Sequence, residues 1–198
     1  MNKSKSLGIV LGTTMLIVLA AHSQFGSTNA VTQDQPAATK TMTLTRTFDA
    51  PVAEVWKHWS ESEKVMTWWG PKGFTSPLAK MDFREGGVSL VCMRAPKEAG
   101  GFDMYNTWTY TKIIPHERIE FTLNFADKDG NKLDPAMLSL PPGIPNEVPH
   151  VITFKALGDN KTEMTVNEHG YTTDQAVQIS KTGLEECLDK MAESLKTK

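Results

Sequence analysis

Between Phe74 and His169 the sequence repeats one pattern: short segments in which apolar and polar side chains alternate, divided by turn residues. Alternation at every second residue marks a strand, because successive side chains leave opposite faces of a sheet. The segments fall near 74–84, 87–95, 103–114, 117–126, 148–157 and 161–169, and Gly86-Gly87, Gly100-Gly101, Pro115-His116, Asp129-Gly130 and Gly158-Asp159-Asn160 punctuate the chain. Most links are too short for a parallel crossover, so the pattern predicts an antiparallel meander. Parity names the faces. In 103–114, Met104, Asn106, Trp108 and Tyr110 oppose Tyr105, Thr107, Thr109 and Thr111; in 117–126, Ile119, Phe121, Leu123 and Phe125 oppose Glu120, Thr122 and Asn124. In 161–169, Thr162, Met164 and Val166 oppose Glu163, Thr165 and Asn167. One face of this sheet is heavily aromatic.

Helices flank the meander. Thr41 to Phe48 reads as a first strand, with β-branched threonines on alternate positions. Asp49-Ala50-Pro51 is a helix start, with Asp49 or Ala50 as cap and Pro51 in the first turn. Val52, Val55, Trp56 and Trp59 form the apolar stripe. Ser60-Glu61-Ser62-Glu63 matches a capping box opening a second short helix through Trp68-Trp69. Adjacent indoles on a helix point about 100° apart, so one fills the core while the other faces a rim or cavity. Gly70-Pro71 then stops the helix. At the far end, Thr173 to Leu195 carries Val177, Ser180, Leu184, Cys187, Leu188, Met191 and Leu195 on one helical stripe. Gly183 within it predicts close approach of another element or a ligand. The expected fold class is α+β: a curved antiparallel sheet of about seven strands around a long C-terminal helix, with two short helices after strand one.

Ahead of this domain, Lys3 and Lys5 precede an apolar run from Leu7 to Ala21. The run is shorter than the ~20 residues that span a bilayer, which predicts a cleavable signal peptide over 1–23 and no stable membrane span after processing. Residues 24–40, without apolar periodicity, read as a flexible linker to a domain at 41–198. Removing Lys3 and Lys5 leaves 19 basic against 23 acidic side chains, a formal net charge of -4 in place of -2. A mildly acidic, periplasmic or secreted domain has no electrostatic footprint for nucleic acid. Cys92 and Cys187 form no CxxC motif and read as two buried free thiols in preference to a disulfide, the alternative an oxidising compartment allows, and no histidine pair has metal-ligand spacing. Between the fifth and sixth strands, counting Thr41 to Phe48 as the first, the apolar, proline-rich stretch from Leu133 to Pro145 reads either as a lid over a cavity mouth or as a spacer packed on the sheet rim.

Several motifs then resemble a known family. Phe48-Asp49-Ala50-Pro51, Val55-Trp56, Trp68-Trp69-Gly70-Pro71, Glu85-Gly86-Gly87, Pro115-His116-Glu117-Arg118-Ile119 and Lys161-Thr162-Glu163-Met164 occur in the order seen in the SRPBCC (START-like, helix-grip) superfamily. More narrowly, the chain resembles the family named after the C-terminal domain of the activator of the heat-shock protein 90 ATPase. The resemblance covers roughly Thr41 to Lys198. It implies a helix-grip domain with a deep cavity between sheet and terminal helix, of the kind that binds lipids, sterols and other apolar molecules. It also implies that Met93 points inward with Val91 while Cys92 faces out. Leu184 stands where the family carries a tryptophan after the mid-helix glycine.

On this reading the candidate ligand-binding residues are Trp69, Phe74, Met93, Asn106, Trp108, Tyr110, Phe121 and His150. Asn106 is a polar amide on an aromatic face and either bonds backbone or meets a ligand. His150 stands at a strand start beside the proline-rich stretch and reads as a surface strand-end histidine first, or as an imidazole that bonds a ligand oxygen. Trp69 is taken as the inward indole and Trp68 as the packing one. The expected function is an exported binding protein for a small apolar or amphipathic molecule, with no cofactor and no metal. The alternatives are a cofactor-independent cyclase or lyase acting in the cavity, through Asn106, Tyr110 or His150, and a co-chaperone-like interaction module. An export signal counts against a cytosolic chaperone partner.

Overall fold

The computed structural model describes residues 38–138 and 140–197. The expected signal peptide and all but the last residues of the expected linker lie outside them. Strand β1 (Lys40–Phe48) leads into helices α1 (Val52–Ser60) and α2 (Ser62–Trp68). Then come β2 (Thr75–Lys80), β3 (Val88–Arg94), β4 (Asp103–Ile114), β5 (Arg118–Ala126), β6 (Glu147–Ala156) and β7 (Thr162–Tyr171), and last α3 (Asp174–Lys196). The seven strands form one curved sheet in the order β1-β7-β6-β5-β4-β3-β2, antiparallel throughout. The first strand thus closes against the last, and β2 and β1 are the edges.

Register carries the apolar parity across the sheet. Tyr110 pairs with Phe121, Phe121 with His150, His150 with Glu168, and Glu168 with Met42, so five strands place these side chains in one row on the inner face. The neighbouring row, Ser89, Trp108, Leu123 and Val148, lies one step along. Against one end of this face α1 and α2 set Trp56, Trp59 and Trp68. Trp59 and Trp68 meet edge to face at 4.7 Å, and Trp108 stacks on Phe121 at 5.0 Å. Two of these indoles also satisfy their N–H: Trp59 Nε1 donates to Met164 Sδ at 3.2 Å and Trp68 Nε1 to the His58 carbonyl at 2.7 Å.

Local rules fail where tertiary packing offers the backbone something better. The capping box at Ser60 does not form: Glu61 is the N-cap of α2 without a side-chain bond, and Ser60 Oγ donates back to the Trp56 carbonyl. Asp49 does not cap α1 either; Pro51 holds the N-cap position. Helices pinned by buried tryptophans need no cap to persist. The strand expected over 74–84 ends at Lys80, because Ser89 Oγ accepts from Asp82 N–H and the Asp82 carboxylate takes the Arg84 guanidinium, turning the chain out of the ladder. The hinge behaves as its residues dictate. Gly70 has φ 100°, and a Cβ there would lie 3.0 Å from Phe74 Cβ.

Candidate functional site

The other end of the inner face is hollow. A cavity of about 400 Å3 lies between the sheet and α3. Met93, Met104, Leu123, Phe125 and Val148 supply its sheet wall, and Leu184, Cys187 and Gly183 its helix wall. The half-exposed Pro71 and Phe74 of the hinge, Leu140 and Ile144 of the proline-rich stretch, and exposed Ile179 of α3 mark its mouth. Gly183 explains itself here: a Cβ built on it meets nothing within 4 Å, so the missing side chain is open cavity rather than close packing. That corrects half of the sequence expectation for this glycine.

Two devices hold the mouth. Lys190 of α3 reaches under the hinge, where its Nζ donates to the carbonyls of Gly70 at 2.8 Å and Phe74 at 2.9 Å. Burial lowers the Lys190 ammonium from its ordinary value. Across the opening, the proline-rich strap is tied to the start of α3. Thr172 N–H donates to the Gly143 carbonyl at 3.0 Å and Thr173 Oγ1 to that of Pro142 at 3.1 Å. The same Thr173 hydroxyl caps α3 by accepting from Ala176 N–H.

The polar end of the cavity is a closed network on β6, β7 and α3. His150 Nδ1–H donates to the Val148 carbonyl at 2.8 Å, and Nε2 lies 3.1 Å from Glu168 Oε1. Both ring nitrogens are thus engaged, which holds the imidazole between β6 and β7. Hydroxyls of Tyr171 and Ser180 donate to Glu168 Oε2. Burial would raise the Glu168 carboxyl, but the His150 charge and the hydrogen bonds from His150, Ser180 and Tyr171 outweigh it and hold the group below its usual range. Burial also raises the Tyr171 phenol, and it pushes the Cys187 thiol up to about 12. The Phe121 ring stacks on His150 at 4.6 Å, which fixes the imidazole plane.

Of the candidate residues, Trp69, Phe74, Met93, Asn106 and His150 line the cavity together. Trp108, Tyr110 and Phe121 do not line it: they are buried behind its wall, at 0%, 1% and 2% exposure, as core. Trp108 and Phe121 pack with Trp59, while Tyr110 bonds Ser89 Oγ at 3.0 Å. Trp69 faces the cavity and Trp68 packs on Trp59. The sequence reading missed Glu168, Tyr171 and Ser180. Glu168 was legible, since the parity of Met164 and Val166 carried two residues further puts a carboxylate on the inner face, and Ser180 lies on the apolar stripe of α3. Cys92 and Cys187 are both free and buried.

Trp69 Nε1 and Asn106 Oδ1 are buried and without hydrogen-bond partners among the described residues. Within those residues, no group of three His, Cys, Asp or Glu side chains is placed to hold a metal ion, and no helix is long and apolar enough to cross a membrane. A wider surface groove of about 900 Å3 runs along α3 past Arg46, Lys72 and Glu186. Four of its charges form surface pairs, Arg46 with Asp189 at 2.6 Å and Lys196 with Glu193 at 2.7 Å, and we assign it no function.

A curved antiparallel sheet gripping a C-terminal helix, with two short helices after its first strand, defines a helix-grip protein of the SRPBCC class. Residues 49–196 match the family described as activator of Hsp90 ATPase homolog 1-like protein, and the chain belongs to it. No curated protein matches the sequence. Solved structures share the fold. A solution structure of an Arthrobacter aurescens protein is 22% identical with a TM-score of 0.65, covering 80% of this chain and 87% of that one. A crystal structure from Mycobacterium smegmatis is 25% identical with a TM-score of 0.60, covering 78% and 87%. The AHSA1 protein of Silicibacter pomeroyi is 19% identical with a TM-score of 0.63, covering 79% and 97%.

Proposed function

We propose that this chain binds a small apolar or amphipathic molecule in the cavity between sheet and α3, and that it does so as an exported protein, periplasmic or secreted. The observation that carries the reading is the cavity itself. Its volume, about 400 Å3, falls in the range of small-molecule sites, and its wall is mostly apolar with a few polar groups at one end. The buried His150–Glu168 pair is what would favour a lyase or cyclase instead. Its hydrogen-bonding atoms, however, are engaged with Val148, Tyr171, Ser180 and each other, which supports a clamp between β6, β7 and α3 over a proton-transfer device. A co-chaperone reading needs a contiguous apolar patch. No single observation favours it over the cavity: of the large exposed apolar side chains, Ile179 lines the cavity and Phe102 packs on Phe74, which lines it too.

Native mass spectrometry of protein purified from its own compartment tests the binding reading. A small molecule that co-purifies and leaves on denaturation is expected. Protein that carries nothing and is not stabilised by any apolar probe defeats it. Cell fractionation with intact-mass measurement tests export: the expected product is found outside the cytoplasm and lacks roughly the first 23 residues. A full-length cytoplasmic product defeats that part.

A further inference from the structure

We propose that the cavity wall carries a subsite for one uncharged hydroxyl group, formed by Trp69 Nε1 and Asn106 Oδ1, so that the ligand is an alcohol with an otherwise apolar body. The inference rests on the binding reading above and names the chemistry of what is bound.

Trp69 and Asn106 are 7% and 1% exposed, both line the cavity, and each leaves one buried polar atom unpartnered. Buried polar groups without partners are costly and uncommon, and the indoles of Trp59 and Trp68 each find an acceptor for the N–H. Trp69 stands edge-on to Trp108 at 4.9 Å, and Asn106 lies two positions before Trp108 on the same strand face, so the orphaned donor and the orphaned acceptor share one stretch of wall. Trp108 Nε1 and Asn124 Oδ1 are also unpartnered, but neither residue lines the cavity, and Asn124 Nδ2 donates to the Asn146 carbonyl at 3.0 Å.

A hydroxyl group accepts from an indole N–H and donates to an amide oxygen at once. A carboxylate only accepts and an ammonium only donates, so either leaves one of the two atoms unmatched. Neither charge would find a counter-charge. His150 and Glu168 are engaged with each other, both Glu168 oxygens are occupied, and Lys190, which does not line the cavity, is committed to the hinge carbonyls. Burying a charge without a partner is the costliest outcome. Met93, Met104, Leu123 and Phe125 leave only apolar contact for the rest of the molecule.

Calorimetric titration of the folded chain with a matched probe set tests this: naphthalene, 2-naphthalenemethanol, 2-naphthoate and 2-naphthylmethylammonium at neutral pH. The alcohol is expected to bind about tenfold or more tighter than naphthalene, and both ions more weakly than the alcohol. Trp69→Phe and Asn106→Leu should each bring the alcohol to within about twofold of naphthalene, the ratio of the two affinities being read within each variant so that a change in naphthalene binding itself does not enter. Asn106→Leu should also raise the melting temperature of the unliganded protein, because it removes an unsatisfied buried polar atom. If that variant does not fold, Trp69→Phe decides alone. An alcohol no tighter than naphthalene, or a preference for either ion, overturns the subsite. Failure of all four probes, naphthalene included, overturns the binding reading on which it rests.

Discussion

One face of one sheet is used in two ways. At the α1–α2 end, Trp59, Trp68, Trp108, Phe121 and Met164 are almost wholly buried, and the four rings interlock. At the other end, Met93, Met104, Leu123 and Phe125 face a space of about 400 Å3. The strands present large apolar side chains to both halves, so the sheet alone does not decide which half is hollow. The opposing helices decide it. Two short helices project indoles onto the first half, while α3 presents Ser180, Gly183 and Leu184 to the second. A cavity in a close-packed interior is kept open by withholding volume from one wall and by fixing that wall in place. Here Gly183 withholds volume, and the His150–Glu168–Tyr171–Ser180 network and Lys190 fix α3.

The contrast can be broken at either end. Trp59→Ala should have the largest effect, a loss of about 3–5 kcal/mol in chemical denaturation, because it opens a void in the filled half. Glu168→Gln should cost about 1–3 kcal/mol, since it removes the carboxylate that accepts from Tyr171 and Ser180 and pairs with His150. That variant also predicts a change in pH dependence. The folded Glu168 carboxyl lies below its ordinary 4.5, so its contribution is fully present above that value and is lost as pH falls through the depressed one. The wild-type stability curve should therefore fall more steeply on acidification than that of Glu168→Gln. Lys190→Met should cost about 1–3 kcal/mol by leaving the Gly70 and Phe74 carbonyls without their donor, and should loosen the mouth, read as faster amide exchange at the hinge. The smallest effect has the opposite sign. Gly183→Leu should stabilise α3 by about 1 kcal/mol or less and yet weaken naphthalene binding at least about tenfold, because it fills the hollow half. If Gly183→Leu instead destabilises the fold while binding persists, the hollow half is not where ligand sits.

Strand parity was legible residue by residue: the inner positions of β4 and β5, and Met93 on β3, are those the alternation or the family pattern names. What parity leaves open is depth along a strand. Asn106, Trp108 and Tyr110 share a face, but only Asn106 lies over the hollow, because α1 and α2 cover the strand from Trp108 onward. The capping box at Ser60 misled for a related reason. A local signature competes with burial of Trp59 and Trp68, and burying two indoles outweighs satisfying one helix end.

The sequence by itself determined the element order, the antiparallel sheet, the helix stop at Gly70-Pro71 and the family, because these depend on periodicity and backbone freedom carried by neighbouring residues. The tertiary structure alone decided that the strap from Leu133 to Pro145 reaches the mouth and that Gly183 faces empty space. It also brought Glu168 together with His150, Tyr171 and Ser180. Those facts depend on how far α3 stands from the sheet, a distance set by side chains far apart in sequence and in no local pattern.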